Sequence, residues 1–264
     1  MAIIPITDPT DARLADYVNI RERDLVGRQG KFVAEGRVVL NVLFSSSRFE
    51  AYSLLVLDRK LPGIADIIQK LDDDFPVYVV PQSVLDAVAG FNVHRGLLAI
   101  GGRRTAEDAD AALSALPENA LVLCLVNIAN HDNMGAIFRN AAAFGADAIL
   151  LDKTCCDPLY RKAIRVSVGA ALKVPFVHVE DELEMHMSLS RFGFTQLALS
   201  PSGALSLRQL NRTGRTALYL GTEGAGLPGE LMAKMTTVRI DMRQDFDSLN
   251  VATASAIALH HLYG

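Results

Sequence analysis

The sequence of 264 residues has three cysteines, no tryptophan and no long apolar run. Cys124 stands apart, and the adjacent Cys155 and Cys156 are badly placed for a disulfide and lack metal-ligand spacing. This use of cysteine indicates a reducing, cytoplasmic compartment. No run approaches the ~20 apolar residues of a membrane-spanning helix, and residues 1–5 lack the basic start of an export signal. The sequence therefore predicts neither membrane insertion nor export.

An excess of basic charge is also missing. The 26 Lys and Arg residues against 30 Asp and Glu residues give a net charge of −4, so any phosphate-binding surface must be local. The sequence also lacks a P-loop, a Gly-x-Ser-x-Gly nucleophile turn and the HExxH and CxxC metal signatures. ATPase, hydrolase and zinc-enzyme functions are therefore disfavoured, and no metal is expected.

What the sequence does have is a regular alternation of short apolar runs and amphipathic stretches, with half of its residues hydrophobic. This alternation predicts an α/β architecture with a mostly parallel sheet. Strands are predicted at 51–57, 76–80, 97–100, 121–126, 147–151, 174–179, 195–199, 217–221 and 237–240. Helices are predicted near 37–45, 62–71, 82–89, 133–145 and 248–262.

The stretch 102–119 is rich in small and charged residues and poor in large apolar ones, so it separates two regions of the chain. We predict a small α/β domain over 1–105, a linker or loosely packed helix over 106–119, and a larger α/β domain over 120–264. Periodicity alone predicts a Rossmann-like sheet for the larger domain.

Three polar segments interrupt the apolar pattern of the larger domain. Segment 127–139 is an Asn-rich strand-to-helix junction with Asn133 as the expected N-cap, and segment 221–227 places three glycines after a strand. Segment 240–252 leads into a buried final helix, with Ser248 as its expected N-cap. Taken singly, segment 127–139 fits an ordinary turn about as well as a binding loop, the glycine segment is a weak signal, and the Ser and Asn of the third segment fit ordinary helix caps better. The carboxyl ends of parallel strands are, however, where open α/β sheets bind ligands.

The order and spacing of these residues resemble a known family. They read Asn133-x-Gly135-Ala136-Ile137-x-Arg139 with Phe144-Gly145, then Gly221-x-Glu223-Gly224-x-Gly226-Leu227, then Ile240-x-Met242 with Ser248-Leu249-Asn250-Val251-Ala252. This series is similar to the three ordered motifs of the SpoU (TrmH) RNA ribose 2′-O-methyltransferases of the SPOUT superfamily. Residues 160–170 and Val174-Pro175 resemble the segment between the family's first two motifs. Three ordered motifs are more specific than any one of them.

The resemblance implies a parallel-sheet SPOUT domain with a deep trefoil knot, which binds S-adenosylmethionine and pairs as a homodimer. Chains that thread loops are nearly absent among known folds, so sequence patterns would not predict the knot. By position in the motifs, Gly221, Ile240 and Leu249 are the expected cofactor contacts. Met242 and Leu199 are weaker candidates.

The implied reaction is attack of a ribose 2′-hydroxyl on the methyl group of the cofactor. A hydroxyl needs a base or a cationic positioning group, and the resemblance assigns that role to Arg139. Because a free Arg has a pKa above ~12, Arg139 is better described as organising the 2′-oxygen and the adjacent phosphate. Asn133 and Asn250 would orient the substrate, Glu223 would hold Arg139 or its own loop, and Ser248 would fix the third motif.

The N-terminal region resembles, more loosely, the substrate-binding α/β domain of many members, through residues 32–36 and 94–96. Basic residues cluster near its start, which suggests a surface for the phosphates of rRNA or tRNA. The candidate RNA contacts are Arg23, Arg28, Lys31 and, in the segment after the first motif, Arg165. A solvated helix face balanced by Glu22, Asp24 and Glu35 explains the N-terminal cluster nearly as well.

The sequence departs from the family pattern at two places. Asn130-His131 stands where many members have Asp-Pro, and Ile240-Asp241-Met242 stands where they have Ile-Pro-Met, which removes the fixed φ of proline. These departures leave open a second hypothesis, a catalytically silent RNA-binding protein of the same fold. A third, a nicotinamide enzyme, lacks the ordered Gly-x-Gly-x-x-Gly of a dinucleotide site.

Overall fold

A computed structural model describes residues 2–18, 22–90, 95–105, 108–222, 224–243, 245 and 247–263, without the side chains of residues 2, 22–24 and 28. The chain forms two compact units. The first comprises Met1–Thr105 and Leu159–Leu172, and the second comprises Ala106–Pro158 and Lys173–Gly264. The chain therefore leaves the second unit once, after its second strand, and returns to it.

The described part of the first unit contains a five-stranded mixed sheet in the order β1-β4-β3-β5-β2. The strands are β1 (Ala2–Pro5), β2 (Lys31–Glu35), β3 (Phe49–Leu57), β4 (Pro76–Val80) and β5 (Leu97–Arg103). Strand β5 runs antiparallel to both β2 and β3, whereas β4 is parallel to β1 and β3. The expectation of a mostly parallel sheet was wrong here, because alternation of strands and helices reports burial and not strand direction.

In the described residues, the N-terminal stretch of the first unit contains four helices. They are α1 (Glu22–Gln29), α2 (Arg37–Phe44), α3 (Ala65–Ile68) and α4 (Gln82–Ala89). A 3-10 turn containing Pro62 precedes α3 and shortens the helix predicted at 62–71, since proline lacks the amide hydrogen of a helix interior. Buried side chains such as Leu14, Tyr17 and Leu85 form the core on one face of the sheet.

The second unit contains, in its described residues, a seven-stranded sheet in the order β10-β12-β9-β11-β6-β7-β8. The strands are β6 (Leu121–Leu125), β7 (Ala148–Asp152), β8 (Phe176–Val179), β9 (Thr195–Leu199), β10 (Leu205–Ser206), β11 (Thr216–Leu220) and β12 (Thr236–Arg239). Neighbouring strands of this sheet pair in parallel, as predicted. Strands β6, β7 and β11 are buried along their whole length, as continuous apolar runs in a two-sided parallel sheet should be.

The helices that follow β5 are α5 (Ala109–Ser114), α6 (His131–Ala143), α7 (Arg161–Val166), α8 (Glu182–Arg191), α9 (Gly229–Met232) and α10 (Val251–Leu262). The segment 106–119 was expected to be a linker or a loose helix. It contains α5, which Asp108 caps and which buries Ala109 and Leu113 in the core of the second unit. None of the helices in the described ranges is long and apolar enough to cross a membrane.

The helix α7 lies in the first unit, although the sequence placed it within the domain 120–264. The Arg161 guanidinium forms an ion pair with the Glu35 carboxylate at 2.8 Å, and both side chains are largely buried. Gly169 lies against Val39 and Val42 of α2. Position in the sequence could not reveal this, because the partners of α7 are more than 100 residues away.

Two predicted helix caps were wrong by a few residues. The Asn130 side-chain oxygen, and not that of Asn133, accepts the first free amides of α6, from Asp132 at 2.8 Å and Asn133 at 3.3 Å. Asn250, and not Ser248, caps α10 by accepting from the amides of Ala252 and Thr253. Only a residue directly before the first turn can reach these donors, and a sequence with several nearby Asn and Ser residues does not show which one that is.

Candidate functional site

A cavity of about 510 Å³ lies at the carboxyl ends of β9, β11 and β12, within the second unit. Four segments form its wall, each of which follows a strand or begins α10. The lining residues are Leu199, Ser200, Pro201, Leu220, Gly221, Thr222, Gly224, Gly226, Ile240, Met242, Ser248, Leu249, Asn250, Val251 and Ala254. The volume lies within the range of small-molecule sites.

The glycine loop after β11 brings main chain to the surface of the cavity. A Cβ atom on Gly221 would lie 2.5 Å from the carbonyl carbon of Gly226, so only glycine fits there. The Gly226 amide donates to the Thr222 carbonyl at 3.1 Å and closes the loop, and Gly224 and Gly226 have φ angles of 92° and 69°. These left-handed conformations favour glycine and leave peptide groups, not side chains, facing the cavity.

The cavity is neutral and largely apolar in its described lining. The lining contains no charged side chain among the residues described, and its aliphatic members include Leu199, Ile240 and Leu249. Aliphatic side chains with a few peptide groups suit a flat heteroaromatic ring, which they can sandwich and recognise through hydrogen bonds. All five residues predicted to contact a cofactor, these three with Gly221 and Met242, lie on this wall.

Two asparagines join the starts of α6 and α10 beside the cavity. The Asn250 side-chain nitrogen donates to the side-chain oxygen of Asn133 at 3.0 Å, while the Asn250 oxygen caps α10. Both ends of the Asn250 amide are therefore fixed. A second contact ties the same helices, since Asn140 donates to the Ala252 carbonyl at 2.8 Å and to the Ser255 hydroxyl at 2.9 Å. The structure thus brings Asn133 and Asn250 together on a rigid base, as a substrate-orienting pair requires.

The remaining predicted catalytic residues are less closely gathered. Ser248 lines the cavity with an exposed side chain, whereas Arg139 is exposed on α6 and is not part of the lining. The Arg139 side chain forms no hydrogen bond or ion pair with another residue that the structure describes. Glu223 lies outside the described residues.

The candidate RNA contacts belong to the first unit. Lys31 forms an ion pair with Asp16 at 2.7 Å, so part of its charge is balanced within the fold. Arg165 is exposed on α7 and has no ion pair with a described residue. The side chains of Arg23 and Arg28, and the whole of His94, lie outside what the structure describes.

Sequence reasoning missed the residue that shapes the loop before α6. The buried Asp152 carboxylate at the end of β7 accepts from the Asn127 amide at 2.9 Å, and its second oxygen accepts from the amides of Thr154 and Cys155. Asn127 has a φ of 55°, which this contact helps to hold. The signal available in the sequence was an acidic residue, Asp152, directly after a run of apolar residues.

The cysteines in this region are structural. The Cys155 thiol donates to the Leu125 carbonyl at 3.3 Å, and its sulfur accepts from the Ile128 amide. Burial raises the pKa of the Cys155 thiol far above its usual range and raises the pKa of Cys156 to about 12, because a thiolate is poorly solvated there. Both thiols are therefore protonated and weakly nucleophilic at neutral pH.

Comparison with known proteins agrees with this geometry. The model of the SpoU rRNA Methylase family matches residues 120–260. An uncharacterized tRNA/rRNA methyltransferase of Mycobacterium tuberculosis is 38% identical over 264 residues, which cover 97% of this chain and 90% of that protein. The 23S rRNA (guanosine-2′-O-)-methyltransferase RlmB of Xanthomonas campestris is 31% identical over 189 residues, or 68% of this chain and 74% of the relative.

A solved structure extends the likeness to nearly the whole chain. The AdoMet-bound rRNA methyltransferase from Sinorhizobium meliloti superposes with a TM-score of 0.80 and covers 98% of this chain and 97% of its own, at 22% identity. At that identity the match supports the fold alone. The family model and the M. tuberculosis relative carry the assignment further: the chain belongs to the SpoU rRNA methylase family.

Proposed function

We propose that this protein transfers the methyl group of S-adenosylmethionine to a ribose 2′-hydroxyl in a structured rRNA or tRNA of the cytoplasm. The observation that carries the proposal is the cavity of the second unit, whose described lining is uncharged, with its cofactor candidates on one wall and the hydrogen-bonded Asn133 and Asn250 at its edge. Relatives named as tRNA/rRNA and 23S rRNA guanosine-2′-O methyltransferases support the acceptor, and the AdoMet-bound structure from Sinorhizobium meliloti supports the donor.

The residues of the cavity fit this cofactor. Ile240, Leu249 and Leu199 offer aliphatic surface for adenine, and the glycine loop at Gly221 offers peptide groups for hydrogen bonds to the ring. Met242 adds a flexible, polarizable side chain to the same wall. When bound, S-adenosylmethionine supplies an electrophilic methyl group on a sulfonium centre.

The chain itself must position the hydroxyl and favour the loss of its proton, which would pass to solvent water because Arg139 is exposed. Asn133 and Asn250, fixed by their mutual hydrogen bond, orient the ribose, and Ser248 holds the start of the third motif. Arg139, exposed on α6, holds the 2′-oxygen and the neighbouring phosphate, because a guanidinium binds phosphate through paired hydrogen bonds. Glu223 orients Arg139 or its own loop.

The site is completed by a second copy of the chain in a homodimer that forms through the second unit, whose domain carries the trefoil knot. Ile257 and Tyr263 leave 41% and 63% of their surface exposed on and just after α10, where a partner would cover them. Arg139 and these side chains are exposed on two helices that pack against each other, which favours sharing of Arg139 between subunits.

The first unit would recognise the RNA through phosphate contacts. Arg165 presents an exposed charge, and Lys31, Arg23 and Arg28 extend the basic set. The chain has a net charge of −4, so such contacts must be concentrated in a few places. The shape of the RNA would then choose the modified nucleotide.

The decisive experiment measures transfer of labelled methyl from S-adenosylmethionine to total rRNA and tRNA from a strain that lacks this gene. We expect a new 2′-O-methylated nucleoside in one RNA pool. Arg139→Ala should lose about 100-fold or more in rate, since one group that holds a reacting oxygen contributes roughly 10²–10³-fold, while calorimetric affinity for the cofactor stays unchanged.

A matched control is Arg191→Ala, which removes an exposed arginine from the same unit, far along the sequence from the motifs. It should keep full activity. RNA binding without turnover on either pool would overturn the proposal in favour of the silent RNA-binding protein.

A further inference from the structure

Asp241, the residue that stands in place of proline in the third motif, lies in a network of polar contacts. Its carboxylate accepts a hydrogen bond from the Ser206 hydroxyl of β10 and lies 3.3 Å from the Arg239 Nε atom at the end of β12. Arg208, in the turn after β10, lies 3.9 Å from the same carboxylate. Three positions on two segments therefore converge on one side chain.

Arg239 extends the network to the loop after β9. Its Nη1 atom donates to the carbonyl oxygens of Gly203 at 2.9 Å and Ala204 at 2.7 Å. The loop runs close along β12, because the Ser200 amide donates to the Val238 carbonyl and a Cβ on Gly203 would come within 2.3 Å of the Val238 backbone. Asp241 is thus connected, through one arginine, to the segment that begins with Ser200 and Pro201.

The connected segments are walls of the cavity. Ile240 and Met242 flank Asp241 in the sequence, and both line the cavity together with Ser200 and Pro201. The Asp241 side chain is itself absent from that lining and is 37% exposed. Its effect on a ligand would therefore pass through the backbone of its neighbours.

We propose that Asp241 is a positioning residue for the cofactor cavity. Its hydrogen bond with Ser206 and its ion pair with Arg239, together called the clamp, restrain residues 240–242 as the fixed φ of a proline would. The inference rests on the proposed function for the identity of the ligand. Without the clamp, residues 240–242 gain freedom, and binding must restrict them again at a cost in affinity. The Arg239 and Arg208 side chains are 38% and 84% exposed, so their ionic contacts with Asp241 are individually weak and screened by salt.

The test compares Asp241→Asn and Asp241→Ala with Asp241→Pro by calorimetric titration of S-adenosylmethionine. We expect the Asn and Ala variants to bind about 5- to 10-fold more weakly, the size of effect that one ordinary, partly exposed hydrogen bond has. The proline variant should stay within about twofold of the parent, because proline restricts the backbone by another route. Raising the salt concentration to about 1 M should weaken binding to the parent but not to the proline variant.

Asp245→Asn is the matched control. Asp245 lies four residues further along, pairs with Arg243 at 3.4 Å and is 75% exposed, and it is not part of the cavity lining. The substitution makes the same change in charge and should leave affinity unaltered. If it weakens binding as much as Asp241→Asn does, net charge and not the clamp sets the affinity, and the inference is overturned.

A second measurement works without ligand. The ¹³C-methyl signal of Met242 should shift and broaden in Asp241→Ala and remain parent-like in Asp241→Pro and Asp245→Asn. An unchanged Met242 signal in Asp241→Ala would overturn the inference, as would a lower melting temperature with unaltered affinity. If the parent binds no S-adenosylmethionine, the proposed function fails, and the Met242 signal still decides the role of Asp241.

Discussion

The two units of this protein use charge in opposite ways. The first buries an ion pair between Glu35 and Arg161 and leaves basic side chains such as Arg165 exposed. The second surrounds its cavity with aliphatic side chains, peptide groups and amides. A neutral cavity suits a small ligand recognised by shape, whereas separated exposed cations suit a polyanion. The difference is compatible with the proposed division between a cofactor site in the second unit and an RNA-binding surface on the first.

Gly221→Ala should have the largest effect on ligand affinity, and its structural effect should be confined to the second unit. The added Cβ would come within 2.5 Å of the Gly226 backbone, which cannot move aside as a flexible side chain could. Overpacking of this kind costs roughly 1–3 kcal/mol, and each 1.4 kcal/mol is tenfold in affinity. We therefore expect calorimetric affinity for S-adenosylmethionine to fall by about 10- to 100-fold.

Gly229→Ala provides the control for that change. Gly229 begins α9 and is outside the cavity lining, and a Cβ atom added there would meet no other atom within 4 Å. This variant should bind the cofactor as the parent does. Parent affinity in Gly221→Ala would show that the glycine loop is not part of the binding surface.

The two units also differ in how many of their strands could be predicted from the sequence. The runs Leu121–Leu125 and Thr216–Leu220 are apolar throughout and buried on both faces, so they were recognisable as central parallel strands. Strand β2, Lys31–Glu35, begins and ends with a charged residue and was missed. Its Glu35 is buried only because Arg161 neutralises it, and that partner is 126 positions away.

At the candidate site, spacing alone identified three polar segments, and the order of motifs resembling a family supplied the roles. Neither could locate the Asp152 contacts that hold the loop before α6, because those depend on which strands are neighbours in the sheet. The caps at Asn130 and Asn250 were likewise a matter of local geometry that a run of polar residues leaves open. Contacts between distant segments were thus the part that sequence patterns could not provide.

Glu35→Gln should destabilise the first unit while leaving the cavity unaffected. Removing one partner of a buried ion pair costs about 3–5 kcal/mol, and because Arg161 is 16% exposed and has further contacts, we expect a cost at or below the lower end of that range. Amide hydrogen exchange in β2 and β5, which pair antiparallel, would report the loss. Affinity for S-adenosylmethionine should not change.

A double-mutant cycle sharpens this test. Adding Arg161→Met removes the second charge of the buried pair, so the combined cost should be smaller than the sum of the two single costs. Asp110→Asn is the control, because it breaks an exposed pair with Arg191 and should cost less than about 1 kcal/mol. Equal costs for Glu35→Gln and Asp110→Asn would remove the contrast between a buried pair and an exposed one.

The smallest expected effect concerns salt. RNA affinity of the parent should fall steeply as salt rises, since each phosphate contact releases a counterion. Cofactor affinity should fall only slightly, through the proposed contacts of Asp241, because the described residues of the lining carry no charge. Arg165→Gln should weaken RNA binding severalfold and reduce the slope of log affinity against log salt by about one. Arg191→Gln, an exposed arginine paired with Asp110 in the second unit, should leave the slope unchanged. Filter binding over a salt series measures both quantities.

An unchanged slope in Arg165→Gln would mean that α7 does not contact phosphate. The phosphate contacts proposed for the first unit would then have to lie elsewhere on its surface.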